Sequence, residues 1–273
     1  MPTSTSSFPA KAEEAIVAYT KDGRLPLYDA RKIADTYGIS LFEVEVRALE
    51  NDIFPLRFIR NRHTLDAKEQ LKLMHSHVVL VGCGGIGGFV AQLLAQSGVG
   101  RLSLYDPDLF EETNINRQNF CTLDTLGRPK AVVCEERLRR INPSLQLASY
   151  TEPFEKEKLG YHDAIDLLIE ASDAPQSKRE LSLACIERKI DFLHTALAGE
   201  SFLLSLNRSL DTYYANSSKG AEAWTGNLAS TAGAVAAVAG SQAVRILMGK
   251  ETLLTEAMLM VDLATLESIP ITP

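Results

Sequence analysis

The stretch VVLVGCGGIGG, residues 78–88, decides the fold of this chain. A run of apolar residues leads into a glycine-rich turn, and a helical pattern follows it from about Ile86 to Ser97. Gly82, Gly84 and Gly87 satisfy G-x-G-x-x-G, a pattern in which backbone N–H groups and the positive end of a helix meet phosphate groups. The pattern predicts strand, phosphate-binding turn and helix. It suits NAD, FAD and ATP about equally well.

Downstream of the turn, apolar strands alternate with helices. The strand candidates are HVVLVG, RLSLYD, QLASY, DLLIEAS and DFLHTAL, and the helix candidates include GRPKAVVCEERLRRIN and QSKRELSLACIERK. This alternation predicts an α/β, Rossmann-like fold, a mostly parallel sheet with helices on both faces and ligands at the carboxyl ends of its strands. The neighbouring segments SFLLSL and TYYAN predict an antiparallel pair.

Residues 1–55 are predicted to form a small helical appendage, and residues 56–273 the ligand-binding domain. The Ser/Thr/Pro-rich first ten or so residues indicate a frayed end. Three short helices follow, with Gly23 and Gly38 as stops and Ser40 as an N-cap. Two of them surround TYGIS in a helix-turn-helix pattern, but the segment is acidic, which disfavours DNA. A packing or partner-docking role is expected instead.

The composition bounds the class of protein. The chain has 273 residues, of which 45% are hydrophobic, enough for one large α/β domain and a small appendage. Its 35 acidic and 28 basic residues give a net charge of −7, which argues against nucleic acid or an anionic membrane as a main partner. Residues 228–249 are long enough to span a bilayer, but Gln242 and Arg245 make them a poor span. Their small residues favour a buried helix that lies close against a sheet or a partner helix.

The four cysteines indicate neither a disulfide framework nor a cysteine-based zinc site, because no two of them form a C-x-x-C pair. The N-terminus lacks a basic segment followed by an apolar one, so no secretory signal is expected. We therefore expect a cytoplasmic protein.

The residues that distinguish the possible nucleotides lie in DPDLFEETNINRQNF and LGRPKAVV. Asp106 ends the second strand, where a carboxylate can accept hydrogen bonds from ribose hydroxyls. Asn114, Arg117 and Lys130 add an amide and two cations, which suit the β- and γ-phosphates of a triphosphate. Hydride transfer has no use for these cations, so NAD is disfavoured. Each cation taken singly is also compatible with an exposed surface position.

Asp173 follows the apolar strand DLLIE and is expected at the same edge of the sheet. A carboxylate there can hold Mg²⁺, which bridges phosphate oxygens. The alternative is that Asp173 caps the helix that begins near Pro175.

Taken in order, these motifs resemble those of the ThiF, MoeB and HesA family, bacterial relatives of the ubiquitin-activating E1 enzymes. The resemblance covers about residues 57–263. It rests on RFIRN, VGCGGIGG, YDPDLFEETNINRQ, LGRPKAVVCEERLRRINP, EASD and GSQAVRILMG. The order of glycine turn, D-x-D, N-x-N-R-Q, G-x-P-K and I-N-P makes it highly specific.

The resemblance implies an ATP-dependent adenylyltransferase, usually acting on the C-terminal Gly-Gly of a small ubiquitin-like sulfur carrier such as ThiS or MoaD. By position, Asp106 would bind the ribose and Asp173 the Mg²⁺, while Asn114, Arg117 and Lys130 would bind the phosphates. The nucleotide site would also include Gly82, Gly84, Gly85, Gly87, Asp108 and Gln118. In such enzymes an arginine ahead of the first strand reaches the partner subunit's site, and Arg60 occupies that place. A homodimer is therefore implied, with Arg60, Arg117, Lys130 and Asp173 in catalytic roles.

The chain departs from the family pattern in its cysteines. Many family members carry two C-x-x-C pairs that hold a structural zinc, and this chain has neither, so no structural zinc is expected and Cys185 is expected to be core packing. Three functions stay open: activation of a sulfur carrier, activation of a peptide or small-molecule carboxylate, and non-catalytic ATP sensing. The N-terminal helices and the loop 216–227 are where an acceptor would be selected.

Overall fold

A computed structural model of the chain describes residues 8–214 and 225–271. Its internal contacts divide the chain into two compact units, Met1–His75 and Ser76–Pro273. The first seven residues, part of the predicted frayed end, lie outside the described residues, as does most of the predicted acceptor loop 216–227.

The described part of the first unit is built from four helices and a short pair of strands. Helices α1 to α3 are Ala10–Tyr19, Leu27–Tyr37 and Leu41–Glu50, and α4 is Ala67–His75. Gly38 ends α2 as predicted, whereas the predicted stop at Gly23 is wrong, because α1 already ends at Tyr19. Strands β1 (Arg24–Leu25) and β2 (Phe54–Pro55) pair in parallel, and a 3-10 helix covers Leu56–Asn61. The predicted N-cap of α3 is confirmed, because the Ser40 hydroxyl accepts from the backbone N–H of Glu43 while the Glu43 side chain accepts from that of Ser40.

Residues 56–75 pack with the N-terminal helices. Phe58, Ala67 and Met74 share an apolar cluster with Leu49 and Phe54. Because burial of these side chains joins the segment to the first unit, the compact unit extends to His75, beyond the boundary that the sequence predicts after residue 55.

The second unit is an α/β sheet with surrounding helices. Its strands are β3 His77–Val81, β4 Arg101–Tyr105, β5 Gln146–Tyr150, β6 Leu167–Glu170, β7 Asp191–Ala198, β8 Ser201–Leu206, β9 Met258–Asp262 and β10 Glu267–Ile271. Its helices are α5 Gly85–Ser97, α6 Lys130–Ile141, α7 Pro175–Arg188, α8 Asp211–Tyr214 and α9 Ala229–Met248. Short 3-10 helices cover Glu112–Asn114, Leu123–Thr125, Lys156–Tyr161 and Leu253–Thr255.

The strand order across this sheet is β10-β9-β8-β7-β6-β3-β4-β5. The five strands β3 to β7 run parallel to one another, whereas β8, β9 and β10 are each antiparallel to their neighbours. The predicted mostly parallel sheet is confirmed. The predicted pairing of SFLLSL with TYYAN is wrong: β8 pairs with β7 and β9, and Asp211–Tyr214 form the short helix α8.

The sheet changes direction next to β3. The chain runs outward from β3 through β4 to β5, then crosses back so that β6 lies on the other side of β3. In open α/β sheets, ligands bind in the crevice at the carboxyl ends of the strands where the order reverses. This topology directs the search for a site to the ends of β3 and β6.

Helices cover the two faces of the sheet. One face is packed by α7, where Leu181 and Cys185 join Val79, Leu168 and Phe192 in a buried cluster. Cys185 is therefore core packing, as the sequence predicts.

Helix α9 packs on α5 and against β7. Among the described helices, α9 alone has the length and the apolar composition that would allow a helix to cross a membrane. The small residues on its packed side allow a close approach, since a methyl group added at Gly240 would lie 3.2 Å from the Leu93 side chain. This packing is the one that the sequence predicts for residues 228–249.

The glycine turn joins β3 to α5 with almost no spare volume. Gly82 has φ +91°, and a Cβ there would lie 2.9 Å from the backbone of Ala171 and Ser172. A Cβ at Gly87 would lie 1.8 Å from the carbonyl oxygen of Gly82. Only glycine at these two positions lets the turn lie flat against both α5 and the end of β6.

We expect Gly87→Ala to lower the free energy of unfolding by about 3 kcal/mol or more, because the added methyl group forces apart the turn and the helix. Chemical denaturation monitored by circular dichroism measures this change. The matched control is Gly233→Ala, at a helical glycine of α9 with nothing within 4 Å of an added Cβ. There we expect no loss, or a gain of up to about 1 kcal/mol. Equal stability of Gly87→Ala and wild type would contradict the packing described.

Candidate active site

A pocket of about 250 Å³ lies at the carboxyl ends of β3, β4, β6 and β7. It contains most of the nucleotide-site residues predicted from the sequence: Gly82, Gly84, Gly85, Asp106, Asp108, Arg117, Gln118, Lys130 and Asp173. The fold therefore brings together the glycine turn, the segment after β4 and the segment after β6. Gly87 shapes the turn from behind, through its contact with Gly82.

Asp106 holds the glycine turn in place. Its carboxylate is buried and accepts hydrogen bonds from the backbone N–H of Cys83, at 2.6 Å, and of Asp108, at 2.8 Å. Burial raises the pKa of Asp106, and these hydrogen bonds together with the charge of Lys130 offset only part of that rise. Each carboxylate oxygen keeps a second lone pair, so Asp106 can also accept from a ligand hydroxyl.

The two predicted cations have different partners. Lys130 is buried at the first position of α6, and its Nζ lies 2.9 Å from Oδ2 of Asp108. The guanidinium of Arg117 is half-buried, and within residues 8–214 and 225–271 it donates only to neutral groups, the carbonyl of Thr113 and the amide oxygen of Asn116. Arg117 therefore presents an uncompensated positive charge to the pocket.

Two predicted amides have different roles in the structure. Gln118 is buried beside Gly84, and its Oε1 has no hydrogen-bond partner among the described residues. An unpaired buried acceptor at a pocket wall is available to a ligand donor. Asn114, in contrast, is absent from the pocket wall, and its side chain accepts from the backbone N–H of Glu111 to cap a 3-10 turn.

Asp173 is an exposed residue of the pocket wall, between β6 and α7. The alternative role as a helix cap is not realised, because the N-cap of α7 is Ala174 and Pro175 occupies the first helical turn. No hydrogen bond or ion pair engages the Asp173 carboxylate within the described part of the chain. Its oxygens are therefore open to a cation or a ligand.

Arg60 lies in the first unit, in the 3-10 helix Leu56–Asn61, and is exposed. Its neighbour Arg57 pairs instead with the buried carboxylate of Glu45 and lies over the ring of Phe58. Arg60 is thus the arginine of LRFIRN that is available to another molecule, and its reach into a partner's site stays a prediction.

The cysteines near the site are not activated as nucleophiles. A hydrogen bond with Cys134 and burial raise the pKa of Cys83 well above its ordinary value. Burial raises the pKa of Cys121 as well. A reactive cysteine needs a lowered pKa, so the geometry gives no support to a thioester step at either thiol.

A buried polar cluster at the other side of the pocket was not predicted from the sequence. Lys178 of α7 lies 2.9 Å from the carboxylate of Glu170, the last residue of β6, and donates to the carbonyl of Thr195. His194 Nδ1 lies 3.6 Å from the same carboxylate, and His194 Nε2 is 3.1 Å from the Tyr214 hydroxyl. The sequence signal that could have indicated this cluster is the presence of Glu170 and His194 inside the otherwise apolar strand segments DLLIE and DFLHTAL. Lys178, Thr195 and Tyr214 also line the pocket.

Comparison with known proteins places this site in a family. The family model described as ThiF matches residues 58–272. The chain therefore belongs to the ThiF family, as the order of its motifs predicts.

Two curated relatives bear different names. The chain is 36% identical over 141 residues to the tRNA threonylcarbamoyladenosine dehydratase of Bacillus subtilis (strain 168), covering 50% of this chain and 55% of the relative. It is 32% identical over 133 residues to the sulfur carrier protein ThiS adenylyltransferase of Escherichia coli (strain K12), covering 48% and 52%. The chain thus spans about half the length of the curated relatives it matches.

Solved structures show the same fold at low sequence identity. The crystal structure of E. coli MccB with ATP has a TM-score of 0.69 at 19% identity, covering 89% of this chain and 82% of that one. The structure of PaaA has a TM-score of 0.63 at 18% identity, covering 85% and 73%. These likenesses show the fold alone.

The buried His194 makes stability depend on pH. Burial and then the charge of Lys178 lower the pKa of His194 from 6.5 to about 4. Between pH 6.5 and about pH 4, His194 is protonated in the unfolded chain but neutral in the folded protein. The contribution of His194 to stability is therefore present above about pH 6.5 and is lost as the pH falls toward 4.

We expect His194→Gln to reduce the loss of stability on acidification by about 2 kcal/mol between pH 7 and pH 5. Urea unfolding of wild type and variant at the two pH values measures the difference. His77, whose pKa is lowered in the same direction by burial, is present in both proteins and cancels. An identical pH dependence in the two proteins would show that His194 is not held neutral.

Proposed function

We propose that the chain is an ATP- and Mg²⁺-dependent adenylyltransferase that converts a carboxylate to an acyl-adenylate with release of pyrophosphate. The observation that carries this proposal is the convergence of the glycine turn, Arg117, Lys130 and Asp173 on one pocket. A glycine turn alone suits several nucleotides, but two cations and an open carboxylate beside it suit a triphosphate.

The geometry of the pocket supports a role for each of these groups. Backbone N–H groups of the glycine turn and the N-terminus of α5 favour the phosphates of the bound nucleotide. Asp106, fixed by its two backbone hydrogen bonds, accepts from the ribose hydroxyls. Arg117 and Lys130 face the β- and γ-phosphates, so that Lys130 exchanges its ion pair with Asp108 for one with the substrate.

The reaction itself needs no general base. An oxygen of the ionised acceptor carboxylate attacks the α-phosphorus, the bond from that phosphorus to the bridging oxygen breaks, and pyrophosphate leaves with the electron pair. Negative charge grows on the departing group as the bond breaks. Cations fixed beside that group stabilise the transition state more than the bound substrate, which is the contribution of Arg117 and Lys130.

The donor set at the pocket fits Mg²⁺. No group of three or more His, Cys, Asp or Glu side chains is placed to hold a metal ion in residues 8–214 and 225–271. Mg²⁺ does not require one, because it commonly binds through one or two carboxylates plus substrate phosphates and water. Asp173 supplies an open carboxylate. Bound there, the ion would neutralise phosphate charge.

The acceptor that we favour is the C-terminal Gly-Gly carboxylate of a ThiS- or MoaD-like sulfur carrier. Support comes from a relative named as the ThiS adenylyltransferase and from another, 37% identical over 105 residues, named as the sulfur carrier protein adenylyltransferase of Thermus thermophilus. We further propose a homodimer in which Arg60 of one protomer completes the pocket of its partner. Its exposure, with no partner of its own in the described residues, supports this role.

A second acceptor is favoured by the relatives named tRNA threonylcarbamoyladenosine dehydratase, the first of which is 36% identical. The threonyl group of that nucleoside carries a carboxylate, which the same adenylation chemistry would activate. The net charge of −7 provides no general attraction for tRNA, so we rank this acceptor after the sulfur carrier.

We expect Arg117→Ala to slow single-turnover adenylation by about 100-fold while ATP affinity falls by less than about tenfold, because its charge partner grows in the transition state. Rapid-quench measurement of acyl-adenylate formation, with ATP affinity from calorimetry, separates the two effects. Arg140→Ala, at an exposed arginine of α6 outside the pocket, is the control and should match wild type. Unchanged adenylation in Arg117→Ala would contradict the assigned role.

Exchange of labelled pyrophosphate into ATP tests the acceptor. We expect Mg²⁺-dependent exchange that is stimulated by a small carrier ending in Gly-Gly and abolished when the carrier lacks its last glycine. Stimulation by tRNA bearing threonylcarbamoyladenosine, and not by the carrier, would replace the first acceptor with the second. ATP binding without exchange for either would favour a peptide or small-molecule acceptor, or an ATP sensor.

A further inference from the structure

The side chains of Glu170, Lys178, His194 and Tyr214 form a polar cluster that the adenylation chemistry does not use. They come from β6, α7, β7 and α8, and all four residues are buried, with exposed fractions of 0, 4, 0 and 7%. Lys178 and Tyr214 reach the pocket wall from this cluster. A buried group of this kind beside a binding pocket needs a physical explanation.

The cluster contains one full ion pair. Lys178 and Glu170 lie 2.9 Å apart, and the lowered pKa of His194 leaves that ring neutral near pH 7. Removing two charges from water costs several kcal/mol per ion, so that a buried pair is weak evidence of stabilisation. The pair is better explained by what it holds in place.

The pair spans the loop that carries Asp173. Glu170 ends β6 and Lys178 lies in the first turn of α7. The second oxygen of Glu170 accepts from the backbone N–H of Ser172, at 3.1 Å, and from the Ser172 hydroxyl. Lys178 also donates to the backbone carbonyl of Thr195 in β7, at 3.0 Å.

These contacts tie the loop to the strands on both sides. The backbone N–H of Ala171 donates to Val81 in β3, and the hydroxyl of Thr195 in β7 donates to the carbonyl of Glu170. The Asp173 side chain, by contrast, is exposed on the pocket wall and is bonded to none of the described residues. Hydrogen bonds therefore hold the loop at Ala171 and Ser172, whereas none of the described residues holds the Asp173 carboxylate, which lines the pocket.

We propose that Glu170 and Lys178 are positioning residues, whose ion pair across the β6–α7 loop holds the Asp173 carboxylate toward the bound phosphates. The inference rests on the proposed nucleotide site and deepens it. A displacement of about 1 Å at a reacting centre can cost 100-fold in rate, and groups that orient a metal ligand are commonly worth 10- to 100-fold in metal affinity.

The test is the effect of Mg²⁺ on ATP affinity, measured by isothermal titration calorimetry with Mg²⁺ and with EDTA. The key variant is Glu170→Gln with Lys178→Met, which removes both charges, keeps the side-chain volumes similar and leaves no unpaired buried charge. Thermal melting checks that it is folded. Lys156→Met, at an exposed lysine outside the pocket, is the control.

We expect Mg²⁺ to strengthen ATP binding to wild type and to the control by the same factor. In the double variant this enhancement falls at least about tenfold. The enhancement is the ratio of the ATP affinities with Mg²⁺ and with EDTA, so a direct effect of the pocket-lining Lys178 on ATP itself appears in both affinities and cancels. Asp173→Asn should lose the enhancement as well, and the triple variant should lose no more than Asp173→Asn. Lys178→Arg, which keeps the charge, should retain it.

A double variant with the wild-type enhancement would overturn the proposal, and so would a wild type that shows none. Additive losses in the triple variant would also overturn it, because the pair would then act independently of Asp173. The measured quantity is the affinity for ATP, so the test requires neither an acceptor nor the adenylation reaction. Failure of pyrophosphate exchange with this pattern intact would count against the two proposed acceptors and leave the positioning role standing. Exchange with the pattern absent would refute only the positioning role.

Discussion

The Asp106 carboxylate accepts hydrogen bonds from the backbone of Cys83 and Asp108, and the geometry of the pocket depends on that interaction. One bond reaches back to the glycine turn after β3, and the other fixes the chain that leaves β4. The turn is already pressed against Ala171 at the end of β6. Three strand ends are thus joined around one buried carboxylate, and the pocket that we propose to bind phosphates is formed before any ligand arrives.

Some of the charged side chains around the pocket are paired with an opposite charge, and others are not. Lys130 is paired with Asp108 and Lys178 with Glu170, whereas Arg117 has only neutral partners and Asp173 has none in the described residues. Under the proposed function, an incoming triphosphate would meet Arg117, which has no acidic partner among the described residues, and would have to displace Asp108 to engage Lys130. Asp173 would repel the same phosphates unless a cation lay between them, which is the physical argument for Mg²⁺ at this place.

The sequence was informative wherever the signal was local. The strand, glycine turn and helix of residues 78–97 are neighbours in the chain, and the D-x-D and N-x-N-R-Q motifs follow within one crossover. Of the two partners of β8, strand β7 is joined to it by a two-residue turn and was missed despite that local signal. The pairing with β9 could not be predicted, because it joins segments more than fifty residues apart. Asn114 has the residue type of a phosphate ligand, yet its amide is used by the turn that contains it.

Other features depend on contacts that no local pattern reports. The Glu170–Lys178 pair crosses a loop, and only the fold shows that β7 supplies Thr195 and His194 beside it. The limit of the first unit at His75 depends on how Phe58 and Met74 pack with Leu49. Local chemistry thus indicated the ligand class, while the tertiary packing determined which side chains are free to bind it.

The most direct test of the account is calorimetric binding of ATP, AMP and NAD to wild type and to Lys130→Ala in the presence of Mg²⁺. The account predicts that wild type binds ATP more tightly than AMP or NAD. The preference for ATP over AMP should shrink about tenfold in Lys130→Ala, as expected for loss of one charge-assisted hydrogen bond. Tighter binding of NAD than of ATP, or equal binding of ATP and AMP to wild type, would contradict the assignment of this pocket to a triphosphate.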